Sequence, residues 1–151
     1  MYKRIARISV LAFMLAGLIT PALAISQGLQ EKSLYQRVGG YDALAAVVDD
    51  FIGRLVADKR FEKFFVGHSE DSLKKIRQHI VDQFCAATGG PCVYIGRDMK
   101  TTHKGLNITE ADWDAAAKHL AGSLDKFKVP DKEKNEILTF VTSLKKDIVE
   151  K

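Results

Sequence analysis

The side chains best suited to metal or redox chemistry in this chain are four histidines, His68, His79, His103 and His119, and two cysteines, Cys85 and Cys92. None of the histidines belongs to an H-E-x-x-H pair or to a closely spaced Cys/His zinc pattern, and no G-x-S-x-G turn, phosphate-cradling glycine loop or catalytic Cys/His signature is present. Hydrolase and zinc readings are therefore weak. His103 stands apart because of its setting, the segment Gly96 to Thr109, which has little helical periodicity and lies between two amphipathic stretches. A neutral imidazole is the commonest ligand of transition metals and a frequent axial ligand of iron, with its second nitrogen held by a nearby carbonyl. His103 is thus a candidate iron ligand, and the elements around it must build the pocket.

Those elements are helices separated by short Gly, Pro or polar breaks, with no internal repeat and no convincing strand, so the fold class is all-α. Ser33 to Val38 reads as an opening turn stopped by Gly39-Gly40. A longer helix follows over Tyr41 to Ala57, with Leu44, Val47, Val48, Phe51, Ile52 and Leu55 along one face. Phe61, Phe64 and Phe65 form an aromatic cluster, and polar Gly67 to Ser72 reads as a loop. Ser72 is expected to cap a helix over Leu73 to Thr88 with Leu73, Ile76, Ile80 and Phe84 buried, ended by Gly89-Gly90-Pro91. Pro91 to Ile108 reads as a loop with one helical turn near His103. Thr109 and Asp112 make a capping-box pattern for a helix with Trp113, Ala117, Leu120, Leu124 and Phe127 on one side. Pro130 suits a first-turn position, and Ile137, Leu138, Val141, Leu144 and Ile148 mark a single last helix.

The beginning of the chain reads as a leader. Lys3, Arg4 and Arg7 precede an apolar run from Ile8 to Ile19, and Ala22-Leu23-Ala24 suits a cleavage site. The expected organisation is a signal peptide over 1–24, a short extension over 25–32 and one domain over 33–151. The run falls short of the roughly 20 residues that cross a bilayer, which favours cleavage and a periplasmic or otherwise exported domain over an uncleaved inner-membrane anchor. Loss of the three leader cations lowers the formal charge from +4 to +1, so a nucleic-acid role loses its electrostatic support. In an oxidising compartment Cys85 and Cys92 could form a disulfide across Gly89-Gly90-Pro91; a buried free Cys85 is the equal alternative.

Several motifs recur in order along the chain: Leu34-Tyr35 with Gly39-Gly40, Phe51 followed by Ala57-Asp58 and Phe64-Phe65, Ala87 before Gly89-Gly90 and, most specific, Gly96-x-x-Met99-x-x-x-His103. Through them the chain from Ser33 to about Val149 resembles a group I truncated hemoglobin. The resemblance implies a shortened globin fold in which two helix pairs sandwich heme, with His103 as the proximal iron ligand and Met99 among the heme-contacting residues. It also implies apolar walls from Phe51, Phe65, Ile76, Ile80 and Phe84, while Arg97, Lys100 and Lys104 either pair with the propionates or form a solvated basic face. The position of the family's distal tyrosine is Ile52 here, which offers no hydrogen-bond donor. His79 matches a position from which some members supply a second axial ligand.

The function expected from this resemblance is binding of oxygen, nitric oxide or carbon monoxide at heme iron, with oxygen transport among the roles it covers. Ligation by His79 would oppose incoming gas and favour electron transfer; without it, gas binding or peroxidase-like chemistry becomes more natural. Nitric oxide dioxygenase turnover would need a redox partner, and nothing in the chain encodes a reductase. A heme-free helical sensor or scaffold with a globin-like fold is the alternative from another class.

Overall fold

Ser33 opens the first element through a reciprocal cap: its hydroxyl accepts from the Gln36 amide at 3.3 Å while Gln36 Oε1 accepts from the Ser33 amide at 3.1 Å. The computed structural model describes residues 31–151, so the leader expected over 1–24 and the extension up to residue 30 lie outside the described residues. Helix α1 (Leu34–Arg37) stops at Gly39 and Gly40, whose φ values of +100° and +79° are costly for any residue with a Cβ. The order then runs α2 (Gly40–Ala57), α3 (Glu62–Phe65), α4 (Glu70–Ala87), α5 (Met99–His103), α6 (Glu110–Lys126), α7 (Asp131–Ser143) and α8 (Lys145–Ile148). Among the described residues there is no strand.

Helix α2 is the hub, because it packs against both α4 and α6, and α6 in turn packs against α7. Its Val47 meets Phe84 of α4, Leu120 and Leu124 of α6 and Ile137 of α7 in the main core, while Ala45 and Val48 meet Val81 of α4 in a second cluster. Ile80 touches both clusters and joins them. A polar pin reinforces the α2–α6 contact: the fully buried Ser123 hydroxyl donates to Asp50 at 2.8 Å, and Arg54 and Lys126 pair with the same carboxylate. These three donors hold the Asp50 carboxyl far below the usual carboxylate range. Arg37 of α1 bridges Glu133 and Glu136 of α7 in the same manner.

Four local expectations are corrected. Helix α4 begins at Glu70 rather than Leu73, since Ser69, not Ser72, supplies the capping oxygen and Glu70 and Asp71 complement the positive end of the helix. Phe127 leaves the buried face of α6: it is the C-cap, followed by Lys128 at φ +55°, and it is 42% exposed. Pro130 is the N-cap of α7 and not its first turn. The last helix is broken at Leu144 into α7 and α8. The Thr109–Asp112 capping box forms in both directions as expected.

Cys85 and Cys92 are joined in a disulfide with Cα atoms 5.7 Å apart, which decides between the two alternatives left open by the sequence. The turn between them requires glycine, because a Cβ at Gly90 would lie 2.5 Å from the Tyr35 ring and 2.7 Å from the Cys85 sulfur. Loop-closure entropy for so short a bridge predicts that Cys92→Ser lowers unfolding free energy by about 2.5 kcal/mol. Urea unfolding with and without the substitution measures this, and coincident midpoints would show that the bridge adds no stability.

Candidate functional site

Helix α5 is only five residues long, too short to persist by propensity alone, so its ends must be held. At its start Asp98 accepts from the Thr101 amide at 2.8 Å and from the Thr101 hydroxyl at 2.7 Å. The same bonds keep the Asp98 carboxyl below the usual range and therefore charged. His103 closes the helix, half-buried, with Nδ1 2.8 Å from the Met99 carbonyl oxygen. A carbonyl can only accept, so Nδ1 carries the proton. In the neutral form of the ring this leaves the Nε2 lone pair free, which is the state a metal ligand requires.

His79 lies in the middle of α4 and is half-buried. Its Nδ1 is fully buried and has no hydrogen-bond partner. Tyr94 faces it edge-on, with ring centroids 6.2 Å apart and planes at 81°. That tyrosine is fixed in turn: its hydroxyl donates to the Arg97 carbonyl at 2.6 Å, and its ring lies so close over Gly96 that a Cβ there would be 2.4 Å from it. Burial raises the Tyr94 phenol pKa, so it remains a neutral donor. The disulfide ties this loop covalently to the end of α4, the helix that bears His79.

The other expected site residues divide by burial. Phe51, Ile52, Phe65 and Ile76 are half-buried apolar side chains from α2, α3 and α4. Phe51 and Ile80 abut the main core, and Ile52 and Ile80 abut the second cluster. Phe84 is only 6% exposed and meets the Phe140 ring edge-on at 6.0 Å, within the main core. Met99 contributes its backbone carbonyl to His103, a role its side-chain type did not announce. Arg97, Lys100 and Lys104 are exposed. His119 pairs with Asp58 at 2.9 Å and meets Phe61 edge-on, and exposed His68 contacts the Ser72 hydroxyl. Those two histidines are structural or solvated.

This donor set fits heme better than a bare ion. Among the described residues no three His, Cys, Asp or Glu side chains gather as a metal-holding group. What the chain offers is one imidazole with a directed lone pair and a set of incompletely covered apolar side chains, which suits a flat apolar macrocycle that brings its own metal. Tyr94 was not singled out in the sequence, because Val93-Tyr94-Ile95 carries no polar–apolar alternation from which the side of Tyr94 could be read.

Comparison with known proteins gives a consistent answer. Residues 33–150 match the family model described as bacterial-like globin. The chain is 37% identical over 126 residues to the group 1 truncated hemoglobin GlbN of Mycolicibacterium paratuberculosis, covering 83% of this chain and 90% of that protein. It is 34% identical over 119 residues to the GlbN of a Nostoc species, covering 79% of this chain and 98% of the relative. Among solved structures, the Fe(III) form of truncated hemoglobin from Tetrahymena pyriformis superposes with a TM-score of 0.72 at 29% identity, covering 80% of this chain and 100% of that chain. A 2/2 hemoglobin from Synechococcus, in the cyanomet state and with covalently attached heme, gives 0.71 at 29% identity over the same shares.

Proposed function

The chain belongs to the bacterial-like globin family as a group 1 truncated hemoglobin with heme as its cofactor, and on that premise we propose that His103 is the proximal ligand and His79 a displaceable second one. The family binds diatomic gases at heme, and the iron that heme brings supplies the gas-binding and electron-transfer chemistry. The observation that carries the assignment is the bond from His103 Nδ1 to the Met99 carbonyl, which leaves Nε2 as the one free electron pair on the ring. That bond also restrains ring rotation, so the lone pair keeps its direction while Asp98 holds the other end of the same short helix.

The reading of His79 rests on its buried, unpartnered Nδ1. A polar atom withdrawn from water without a partner costs about 1–3 kcal/mol, and such atoms call for an explanation. An imidazole that moves to an electron-pair acceptor leaves that unfavourable position. Ile52 cannot donate a hydrogen bond to a bound gas and the Tyr94 hydroxyl already donates to the Arg97 carbonyl, so on this reading His79 is the polar group offered on that side. If His79 occupies the sixth position for most of the time, apparent gas affinity falls by the fraction in which it is displaced. Ligation by both His103 and His79 would favour exchange of electrons with an outside donor over oxygen transport.

The experiment for this function is an absorption spectrum of the domain refolded with hemin, recorded before and after dithionite. A six-coordinate low-spin form in both states is the expected result. A colourless Soret region would end the reading.

The domain is also proposed to work outside the cytosol. The Cys85–Cys92 disulfide, which persists in oxidising compartments, supports this together with the leader pattern. Among the described residues no helix is long and apolar enough to cross a membrane. Expression of the full chain in a Gram-negative host should yield periplasmic protein whose mass begins at residue 25; cytosolic protein of full mass would contradict it.

A further inference from the structure

The loop that leaves α5 takes two turns at positive φ, at Gly105 (+83°) and Asn107 (+52°), and both of their amides point at one carboxylate. Gly105 donates to Glu150 Oε1 at 2.7 Å and Asn107 donates to Glu150 Oε2 at 2.6 Å. Asparagine tolerates the left-handed conformation better than most residues, and here its side-chain amide also donates to the Gly105 carbonyl at 3.1 Å. The segment after α8 is stitched to the same loop by backbone: Glu150 and Lys151 donate to the Ile108 carbonyl at 2.9 and 3.3 Å, and Glu110 donates to the Lys151 carbonyl at 3.0 Å. Helix α8 packs directly against α5. A pair of converging backbone donors is an anion-binding concavity, and its bonds to a charged acceptor are stronger than neutral ones. The two amides keep the Glu150 carboxyl below its ordinary range, in agreement with that geometry.

We propose that Glu150 is a positioning residue for the heme site: by clamping the Gly105 and Asn107 amides it fixes the exit of α5 and with it the orientation of His103. The inference rests on His103 being the proximal ligand. Asp98 restrains the entrance of α5 and Glu150 restrains its exit, so a helix of five residues is held by carboxylates that it does not itself contain. Met99 and His103, joined by the bond from the imidazole to the carbonyl, lie between these two anchors. Releasing the exit lets the last residue of α5 swing while the rest of the fold stays in place, because Glu150 is exposed and touches none of the core clusters.

The test compares Glu150→Gln and Glu150→Ala in the heme-loaded full domain, with Glu136→Gln as a control that weakens the remote Arg37 bridge. Hydrogen exchange of the Gly105 and Asn107 amides should accelerate about tenfold in Glu150→Ala and less in Glu150→Gln, which keeps one acceptor. Read in a His79→Leu background, where the reduced heme keeps a single histidine ligand, the iron–histidine stretching band should shift or broaden in the Glu150 variants and not in the control. Hemin transfer to an excess of apomyoglobin should be about tenfold faster for Glu150→Ala, the size of one charge-assisted bond. An unchanged band in Glu150→Ala overturns the proposal, whatever the exchange rates. Persistence of the same iron–histidine band in His103→Ala on that His79→Leu background overturns instead the proximal assignment on which it rests, so the two failures are told apart.

Discussion

His103→Ala should leave the purified domain folded but nearly free of heme, with affinity down on the order of a hundredfold or more. Loss of an outer-shell partner alone typically costs metal sites 10- to 100-fold, and here the ligand itself is removed. The fold should survive because His103 is half-buried at the end of a peripheral helix, and the Met99 carbonyl it releases can be solvated. The ratio of Soret to protein absorbance measures the effect. Added imidazole should restore part of the band by entering the vacated position, which a misfolded protein could not reproduce. A variant that keeps the heme content and spectrum of the parent would remove His103 from the proximal role.

His79→Leu carries the second large expectation, and it acts with opposite sign on the two forms of the protein. With heme, the low-spin six-coordinate spectrum should become high-spin or water-bound. If His79 holds the sixth position about 99% of the time, the apparent affinity for carbon monoxide should rise about a hundredfold. Without heme, the substitution removes the buried, unpartnered Nδ1 and should raise unfolding free energy by about 1 kcal/mol. Spectroscopy of the loaded protein and urea unfolding of the heme-free protein read the two effects separately. Identical spectra for parent and variant would rule out ligation by His79, whatever the stability change.

The helical plan was largely legible because periodicity reports burial directly. Leu44, Val47 and Val48 of α2 and Leu120 and Leu124 of α6 recur at helical spacing and are buried. The Thr109–Asp112 pattern marked a helix start because both halves of a capping box lie within one turn of chain. The expectation that Ser72 caps α4 failed because Ser69 offers an equivalent oxygen three residues earlier, and the acidic residues between them, Glu70 and Asp71, tipped the start to it. Phe127 shows the reverse failure: periodicity continued its stripe past the point where the helix ended, and the ring turned outward.

What the sequence determined by itself is the course of the long helices, the family and the identity of the candidate ligand, since each rests on residue types within one stretch of chain. The tertiary structure decided how those residues are prepared for chemistry. It selected the Nδ1–H tautomer of His103, left one nitrogen of His79 buried without a partner, set Tyr94 beside it and brought Glu150 onto amides more than 40 residues earlier in the chain. The physical reason is that helical periodicity and caps are settled within a few residues, whereas a proton position, an unpaired lone pair or an anion clamp depends on which distant atoms the packing of helices places within 3 Å.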